Sequence, residues 1–378
     1  MDRRKFVNQT ARLAFISAMG ISLSGFRPKI SRNVDEDLDK LLRRLLSEAK
    51  TPAVTLAIVR DGTIAFNKAF GVKNFITKEP VDLQSRFEAA SISKTVFAYA
   101  VMKLCEKGVM NLDAPLHQYY PELFVDGDSR LKIITARQVL SHKTGLANWR
   151  SAPDGLNFAF DPGKGFMYSG EGYYLLQSVV THLVGKAYSE PCGSYEGDLK
   201  VCGTDIADYL TKNIIAPMRM TSSSYLLPQA EKNFATPHDV NQQPIDKQPP
   251  NTADLARYAA AGGLLTTATD YLKFLISLFE GKEDDPVRLN KASLSEMFRP
   301  QVELPPDQKI DGCTSWGLGW GILERPDGNL IVHSGGQSGF RSLTMASPEK
   351  KSGFVMLTNG DNGGQVIYPV AEALAYLW

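Results

Sequence analysis

Apolar positions set the first pattern. Val34, Leu38, Leu41, Leu42, Leu45 and Leu46 recur at the spacing of one helix face, so residues 34 to 50 predict an amphipathic helix that must bury its stripe on a flat surface. The next residues supply that surface. Val54 to Arg60 and Thr63 to Ala69 read as strands, and Asp61-Gly62 between them is a dipeptide that two-residue hairpins favour, because Gly accepts positive φ. A helix is predicted from Ser91 to Lys107, closed by Gly108, and further helices over about Thr135 to Ser141, Glu171 to Val184 and Thr204 to Ile215. Strands return late: Trp316 to Leu323 and Asn329 to Ser334 flank Pro326-Asp327-Gly328, Ser342 to Ala346 and Phe354 to Thr358 flank a polar turn, and a helix ends the chain.

Strands at both ends with helices between them predict a mixed α/β (α+β) fold. One antiparallel sheet is assembled from both termini and flanked by helices, with an inserted, mostly helical region and a cleft at the junction. The α/β part takes residues 31–90 and about 255–378, and the helical part about 91–254. The stretch from Gln229 to Pro250, rich in Pro, Gln and Asn, reads as a long loop over that cleft.

A chain of 378 residues, 43% hydrophobic, can bury a full core. Its 42 Lys and Arg against 41 Asp and Glu create no general attraction to nucleic acid or anionic membranes, so partners must be argued from a site. Met1-Asp2-Arg3-Arg4-Lys5-Phe6-Val7 followed by a modest apolar stretch has the form of a secretory signal over residues 1–30. The Arg3-Arg4 pair suggests the twin-arginine type, hence an exported protein, periplasmic or secreted. The competing reading is a plain N-terminal anchor. No other segment approaches the roughly 18 apolar residues of a membrane span. Cys192 and Cys202 flank a Gly-rich polar insert and either close a disulfide in an oxidising compartment or stay as two thiols, while Cys105 lies in an apolar helical run and reads as core.

Several chemistries lack their motifs. There is no His-Glu-x-x-His and no Cys-x-x-Cys, so no metal is expected; there is no Gly-x-Ser-x-Gly elbow and no Gly-rich phosphate loop, and no organic cofactor is implied. Ser-x-x-Lys is present, and at a helix start it sets an amine one turn from a hydroxyl, where it can help remove the proton. It occurs four times, at Ser47, Ser91, Ser129 and Ser347, and only Ser91 opens an apolar helix. Ser91 there is either a helix cap or a nucleophile whose own N–H favours an oxyanion. Tyr168, in Asp161-Pro162-Gly163-Lys164-Gly165-Phe166-Met167-Tyr168-Ser169-Gly170, is either a packing tyrosine or a base that a nearby ammonium drives toward phenolate. His333-Ser334-Gly335-Gly336 ends an apolar strand. It is either a Gly-rich strand end with a structural histidine, or an edge whose glycines admit substrate and whose Gly336 N–H is a second oxyanion donor.

Taken in order, Ser91-Ile92-Ser93-Lys94, Tyr168-Ser169-Gly170 and His333-Ser334-Gly335 resemble the three motifs of the serine β-lactamase and penicillin-binding-protein superfamily. The likeness is to the branch shared by class C β-lactamases, D-Ala-D-Ala carboxypeptidases, D-aminopeptidases and related esterases. Leu140-Ser141-His142-Lys143-Thr144-Gly145-Leu146 and Ala261-Gly262-Gly263-Leu264-Leu265-Thr266-Thr267 are similar to its supporting segments, so the likeness spans nearly the whole mature chain. Lys143-Thr144-Gly145 and Lys351-Ser352-Gly353 also match the third motif literally. The first precedes Tyr168 and reads as a helix stop; the second reads as a hairpin turn.

The resemblance implies a serine hydrolase of β-lactamase/transpeptidase-like fold. Ser91 is acylated, Lys94 and Tyr168 manage protons, the Ser91 and Gly336 N–H groups hold the oxyanion, Gly335 lets substrate approach, and water releases the acyl group. The expected substrate is a small molecule or peptide, with cell-wall D-amino-acid peptides and small esters ahead of β-lactams. Two departures bear on this. The family's second motif usually ends in Asn, and position 170 is Gly. His333 stands where class C β-lactamases commonly have lysine and grips a carboxylate less firmly, with Arg341 as a substitute cation. The competing readings are a catalytically weak protein that binds muropeptides or a partner, and a metallohydrolase. Oligomeric state is not legible.

Overall fold

The leucine stripe folds into helix α1 (Val34–Glu48), with Leu38, Leu42, Leu45 and Leu46 buried and Asp35, Glu36 and Asp37 at the positive end of its dipole. The structure is a computed structural model and describes residues 34–124, 128–149, 156–184, 195–196, 201–225, 232–246 and 258–378. The predicted export segment at 1–30, Cys192, and the ends of the predicted loop at 229–231 and 247–250 lie outside the described residues.

α1 rests on an eight-stranded antiparallel sheet. Its strands are β1 (Ala53–Arg60), β2 (Thr63–Gly71), β3 (Val302–Glu303), β4 (Ser315–Trp316), β5 (Gly321–Leu323), β6 (Leu330–Gln337), β7 (Phe340–Ser347) and β8 (Ser352–Thr358), in the spatial order β2-β1-β8-β7-β6-β5-β4-β3. The β1–β8 ladder, Val54 opposite Thr358 through Val59 opposite Gly353, joins the N-terminal hairpin to the C-terminal strands. Asp61 and Gly62 take φ of 50° and 76°, the two positive values of the tight turn their sequence predicts.

Both faces of the sheet are covered, and period two sorts the side chains between them. Val54, Leu56 and Ile58 of β1 and Phe354 and Met356 of β8 pack with α1 and with α8 (Gly364–Ala373). Ala53, Ala57 and Val59, with Val355 and Leu357, face the larger core on the other side. That core is centred on α2 (Ser93–Glu106), every residue of which from Ser93 to Leu104 is buried. Around it lie α3 (Ala136–Leu140), α4 (Gly170–Val184), α5 (Gly203–Leu210), α6 (Ala268–Ser277) and α7 (Lys291–Phe298). Thr135 and Gln138 close a capping box on α3, and Thr267 caps α6 by accepting from the Asp270 N–H. Cys105 is a free, half-buried thiol packed against this core, and burial pushes its pKa up to about 12.

One predicted element is wrong. Trp316 to Leu323 is not a single strand but the β4–β5 hairpin, closed by the Gly317 N–H donating to the Trp320 carbonyl at 2.8 Å. Its alternating apolar residues imitate a strand, yet Gly319 takes φ +83° and packs where a Cβ would lie 2.5 Å from the Ala98 Cβ of α2. The described part of the Gln229–Pro250 loop docks through His238, whose N–H and ring meet the Asn359 carbonyl. It reaches Gly339 at the tip of the β6–β7 hairpin, where a Cβ would lie 2.3 Å from Pro237. Among the described residues no helix is long and apolar enough to cross a membrane.

Candidate active site

Ser91 sits in a 3-10 turn, Ala90–Ile92, that leads into α2, and it is partly exposed while Ile92 to Leu104 are buried. The turn is strained: Ala90 takes φ +51°, which for a residue with a Cβ costs on the order of 1–3 kcal/mol. The Ser93 hydroxyl donates to the Ala90 carbonyl at 2.6 Å and accepts from the Leu264 N–H at 3.1 Å, holding the turn against the 258–266 segment. Lys94, one turn on, places Nζ 3.2 Å from Ser91 Oγ and 2.7 Å from the Ala261 carbonyl. That carbonyl belongs to a tight turn in which Ala261, Gly262 and Gly263 all donate N–H to the Tyr258 carbonyl. Lys94 is 1% exposed, and burial lowers its pKa to about 7. A large fraction of it is therefore a neutral amine near pH 7, able to accept a proton.

The Tyr168 phenol lies near enough to Ser91 for the serine hydroxyl to favour its ionised form, and its ring lies 5.0 Å from Lys94 Nζ. The predicted drift toward phenolate is not what this environment favours. Burial raises the phenol's pKa, the Asp311 charge raises it further, and the Ser91 hydroxyl only partly offsets them. The group held near neutrality is the amine of Lys94. Tyr168 is fixed from behind by residues that sequence reasoning assigned no role. His142, fully buried at φ +56°, accepts from the Ser169 N–H through Nδ1 at 3.1 Å and gives its carbonyl to the Met167 N–H at 2.9 Å. Its ring lies 4.2 Å from that of Tyr168, and Trp316 closes the group edge-on at 5.9 Å. The signal for His142 lay in the Leu140–Leu146 segment; Trp316 read only as a strand residue.

His333, on β6, is buried with its ring 6.2 Å from that of Tyr168. Burial and the nearby Lys94 lower its pKa to about 3, so the imidazole is neutral. Nδ1 lies 2.7 Å from the Ser334 carbonyl, which can only accept, so the proton is on Nδ1 and Nε2 is left as an acceptor. β6 loses its β5 partner after Val332, and the strand beyond runs against the turn that carries Ser91. A Cβ on Gly335 would lie 2.3 Å from Ser342 Oγ, 2.6 Å from the Ala89 carbonyl and 2.9 Å from Ser91 N, so only glycine permits this approach. Gly336 follows on the same edge, opposite Arg341.

The structure brings together Ser91, Lys94, Tyr168, His333 and Gly335, and it does not offer Arg341 as a cation. The guanidinium is spent inside the protein, donating to Asp361 at 3.0 Å and to the Gln337 and Phe340 carbonyls at 2.6 and 2.7 Å. Gly170 has a local reason. A Cβ there would lie 2.6 to 2.9 Å from carbons of the Trp149 indole, which stands edge-on to Tyr258 at 5.6 Å. An aromatic wall fills the space into which a longer side chain at 170 would extend.

The chain matches the family described as Beta-lactamase over residues 38–375. It is 24% identical to Penicillin-binding protein 4* of Bacillus subtilis over 356 residues, covering 85% of this chain and 71% of the relative. It is 20% identical to Protein flp of Staphylococcus aureus, covering 88% of this chain and 64% of that protein. Among solved structures, the octameric penicillin-binding protein homologue from Pyrococcus abyssi superposes with a TM-score of 0.70 at 22% identity, over 90% of this chain and 77% of that one. A class C beta-lactamase superposes with a TM-score of 0.69 at 20% identity, over 90% and 96%.

Proposed function

Because the chain belongs to the Beta-lactamase family, we propose that it is a serine hydrolase that forms an acyl-enzyme on Ser91 from an ester or amide. The observation that carries this is the buried amine of Lys94, 3.2 Å from Ser91 Oγ, with its pKa lowered to about 7. In the proposed step the neutral amine takes the hydroxyl proton while Oγ bonds to the substrate carbonyl carbon. The carbonyl oxygen becomes an oxyanion held by the N–H groups of Ser91 and Gly336. Tyr168, kept protonated by burial, donates its proton to the leaving group as the bond to it breaks, and recovers one from Lys94. Water, activated by the same pair, then releases the acyl group. Neutral His333, its ring 6.2 Å from that of Tyr168, keeps Nε2 as a buried acceptor and supplies no charge for a substrate carboxylate. Small esters, and D-amino-acid peptides without a free carboxylate at the cleaved residue, therefore suit the site better than β-lactams, and the aromatic wall at Trp149 is a second reason for that order.

The test is intact-mass spectrometry of the chain after incubation with a fluorophosphonate, a fluorescent penicillin, and panels of esters and D-peptides. The expected result is a covalent adduct on Ser91, lost in Ser91→Ala, whose decay rate identifies true substrates. Absence of any adduct with every acylating probe would leave a muropeptide or partner binder as the better reading. We also propose export through residues 1–30. A reporter fused to that segment should leave the cytoplasm, and Arg3-Arg4→Lys-Lys should hold it there.

A further inference from the structure

Among the described residues, the part of β6 that carries Gly335 and Gly336 has no sheet neighbour on its outer side. β6 pairs with β5 only from Leu330 to Val332, and beyond that it faces the turn of Ser91. Ladder hydrogen bonds therefore do not set the distance between this strand and the nucleophile. An oxyanion hole made of N–H groups from both needs that distance fixed to a fraction of an ångström. Side chains fix it instead. Three consecutive residues ahead of the Ser91 turn each reach the β6–β7 hairpin. The Phe87 ring stands edge-on to Phe340 with centroids 6.4 Å apart, both rings buried. The buried Glu88 carboxylate accepts from the Gln337 amide. The Ala89 carbonyl accepts from the Ser342 hydroxyl at 2.8 Å.

The same residues are held from the other side by the 264–266 segment. Phe87 lies opposite Thr266, Glu88 opposite Leu265, and the Ala89 N–H donates to the Leu264 carbonyl at 2.9 Å. Segment 87–89 is thus a clamped spacer, and Ser91 follows it by two residues. Gly336 lies between the two polar ties. Gly335, before it, sits opposite Ser342 at the close approach to the Ala89 carbonyl and Ser91 N. Gln337, after it, is tied through its amide to Glu88, and its carbonyl accepts from Arg341 at 2.6 Å, a guanidinium held in turn by Asp361. Both flanks of Gly336 are therefore fixed relative to the nucleophile.

We propose that Gln337 and Ser342 are positioning residues that set the spacing of the Ser91 and Gly336 N–H groups, by tying Glu88 and the Ala89 carbonyl to the β6–β7 hairpin. This rests on the acyl-transfer reading and deepens it. Both side chains act through segment 87–89 rather than on the substrate, so their loss falls on the oxyanion and spares ground-state binding.

The test measures inhibition of the full chain by an aryl trifluoromethyl ketone and by the matching secondary alcohol. Ser91 Oγ adds to the ketone carbon, Lys94 takes the hydroxyl proton, and the carbonyl oxygen becomes an oxyanion; the alcohol binds without forming one. Gln337→Met, which fills a similar volume, and Ser342→Ala should each weaken the ketone about 10–100-fold and the alcohol by less than about threefold. On a chromogenic ester, kcat should fall by the ketone's factor with KM little changed. Gln337→Glu sets two carboxylates together and should lose as much; adding Glu88→Gln restores a carboxylate–amide pair and should recover most of the loss. Equal weakening of ketone and alcohol, or an unchanged kcat in the folded single variants, would overturn the proposal. So would a swapped pair that recovers no ketone affinity, which decides the matter even if Ser342→Ala does not fold. A wild-type chain that binds the ketone no tighter than the alcohol and takes no fluorophosphonate would remove the acyl-transfer reading itself, and this inference with it.

Discussion

Burial decides how Lys94 and Tyr168 share the proton at Ser91. It lowers the amine to about 7 and raises the phenol, which suits the amine to accept and the phenol to donate in the proposed step. In the proposed step the charged form of Lys94 is the inactive one. The acylation rate should therefore climb as pH rises through about 7 and level above it, as a stopped-flow pH profile with a chromogenic ester would show. Tyr168→Phe should cost about 10²–10⁴-fold in rate yet keep that limb, whereas Lys94→Met should abolish both rate and limb. A limb that disappears in Tyr168→Phe would reverse the two roles. Gly335→Ala should drive a methyl into the Ala89 carbonyl and Ser91 N. The expected result is loss of fluorophosphonate labelling, with about 1–3 kcal/mol lost from the unfolding free energy in urea. Ser91 and Lys94 were legible because their spacing is local to one turn. His142 and Trp316 were not, since each packs on Tyr168 from at least 20 residues away in the chain, and a buried histidine or tryptophan has no motif of its own.

Elements carry the site through their ends. α2 presents Ser91 from the turn before it, α4 begins two residues after Tyr168, and β6 runs out from its β5 partner where it meets the nucleophile. Glycines at these ends are set by what lies against them. Gly319→Ala would lose the φ +83° conformation and crowd Ala98, and should lower stability by about 1–3 kcal/mol with the Tm reporting it. Gly170→Asn should lower the Tm because the Trp149 indole already fills that space. Trp149→Ala in the same chain should restore much of the loss, a coupling that a double-mutant cycle measures. Helix and strand positions were largely legible from periodicity. The β4–β5 hairpin was not, because Trp316, Leu318, Trp320 and Ile322 alternate as a strand does, and only packing of Gly319 on α2 reveals the turn.

At the scale of the whole molecule, the sheet makes the two ends of the chain depend on each other. β1 lies between β2 and β8 with both faces buried, so the N-terminal hairpin is part of the core, and a chain beginning after residue 72 should fail to fold, as circular dichroism and sedimentation would report. Leu42→Ala, on α1, should cost about 2–5 kcal/mol of stability and leave the pH profile of acylation where it was, because it changes the fold's stability without touching the site. The sequence by itself determined the two-ended sheet, most of the order of the elements and the pairing of Ser91 with Lys94 at the head of an apolar helix, because apolar period, turn chemistry and one-turn spacing are local properties. Tertiary structure alone decided that burial lowers the Lys94 amine and raises the Tyr168 phenol, that Arg341 is locked to Asp361, and why position 170 is glycine. Those outcomes follow from burial and from contacts between residues far apart in the chain, and both exist only once the chain has folded.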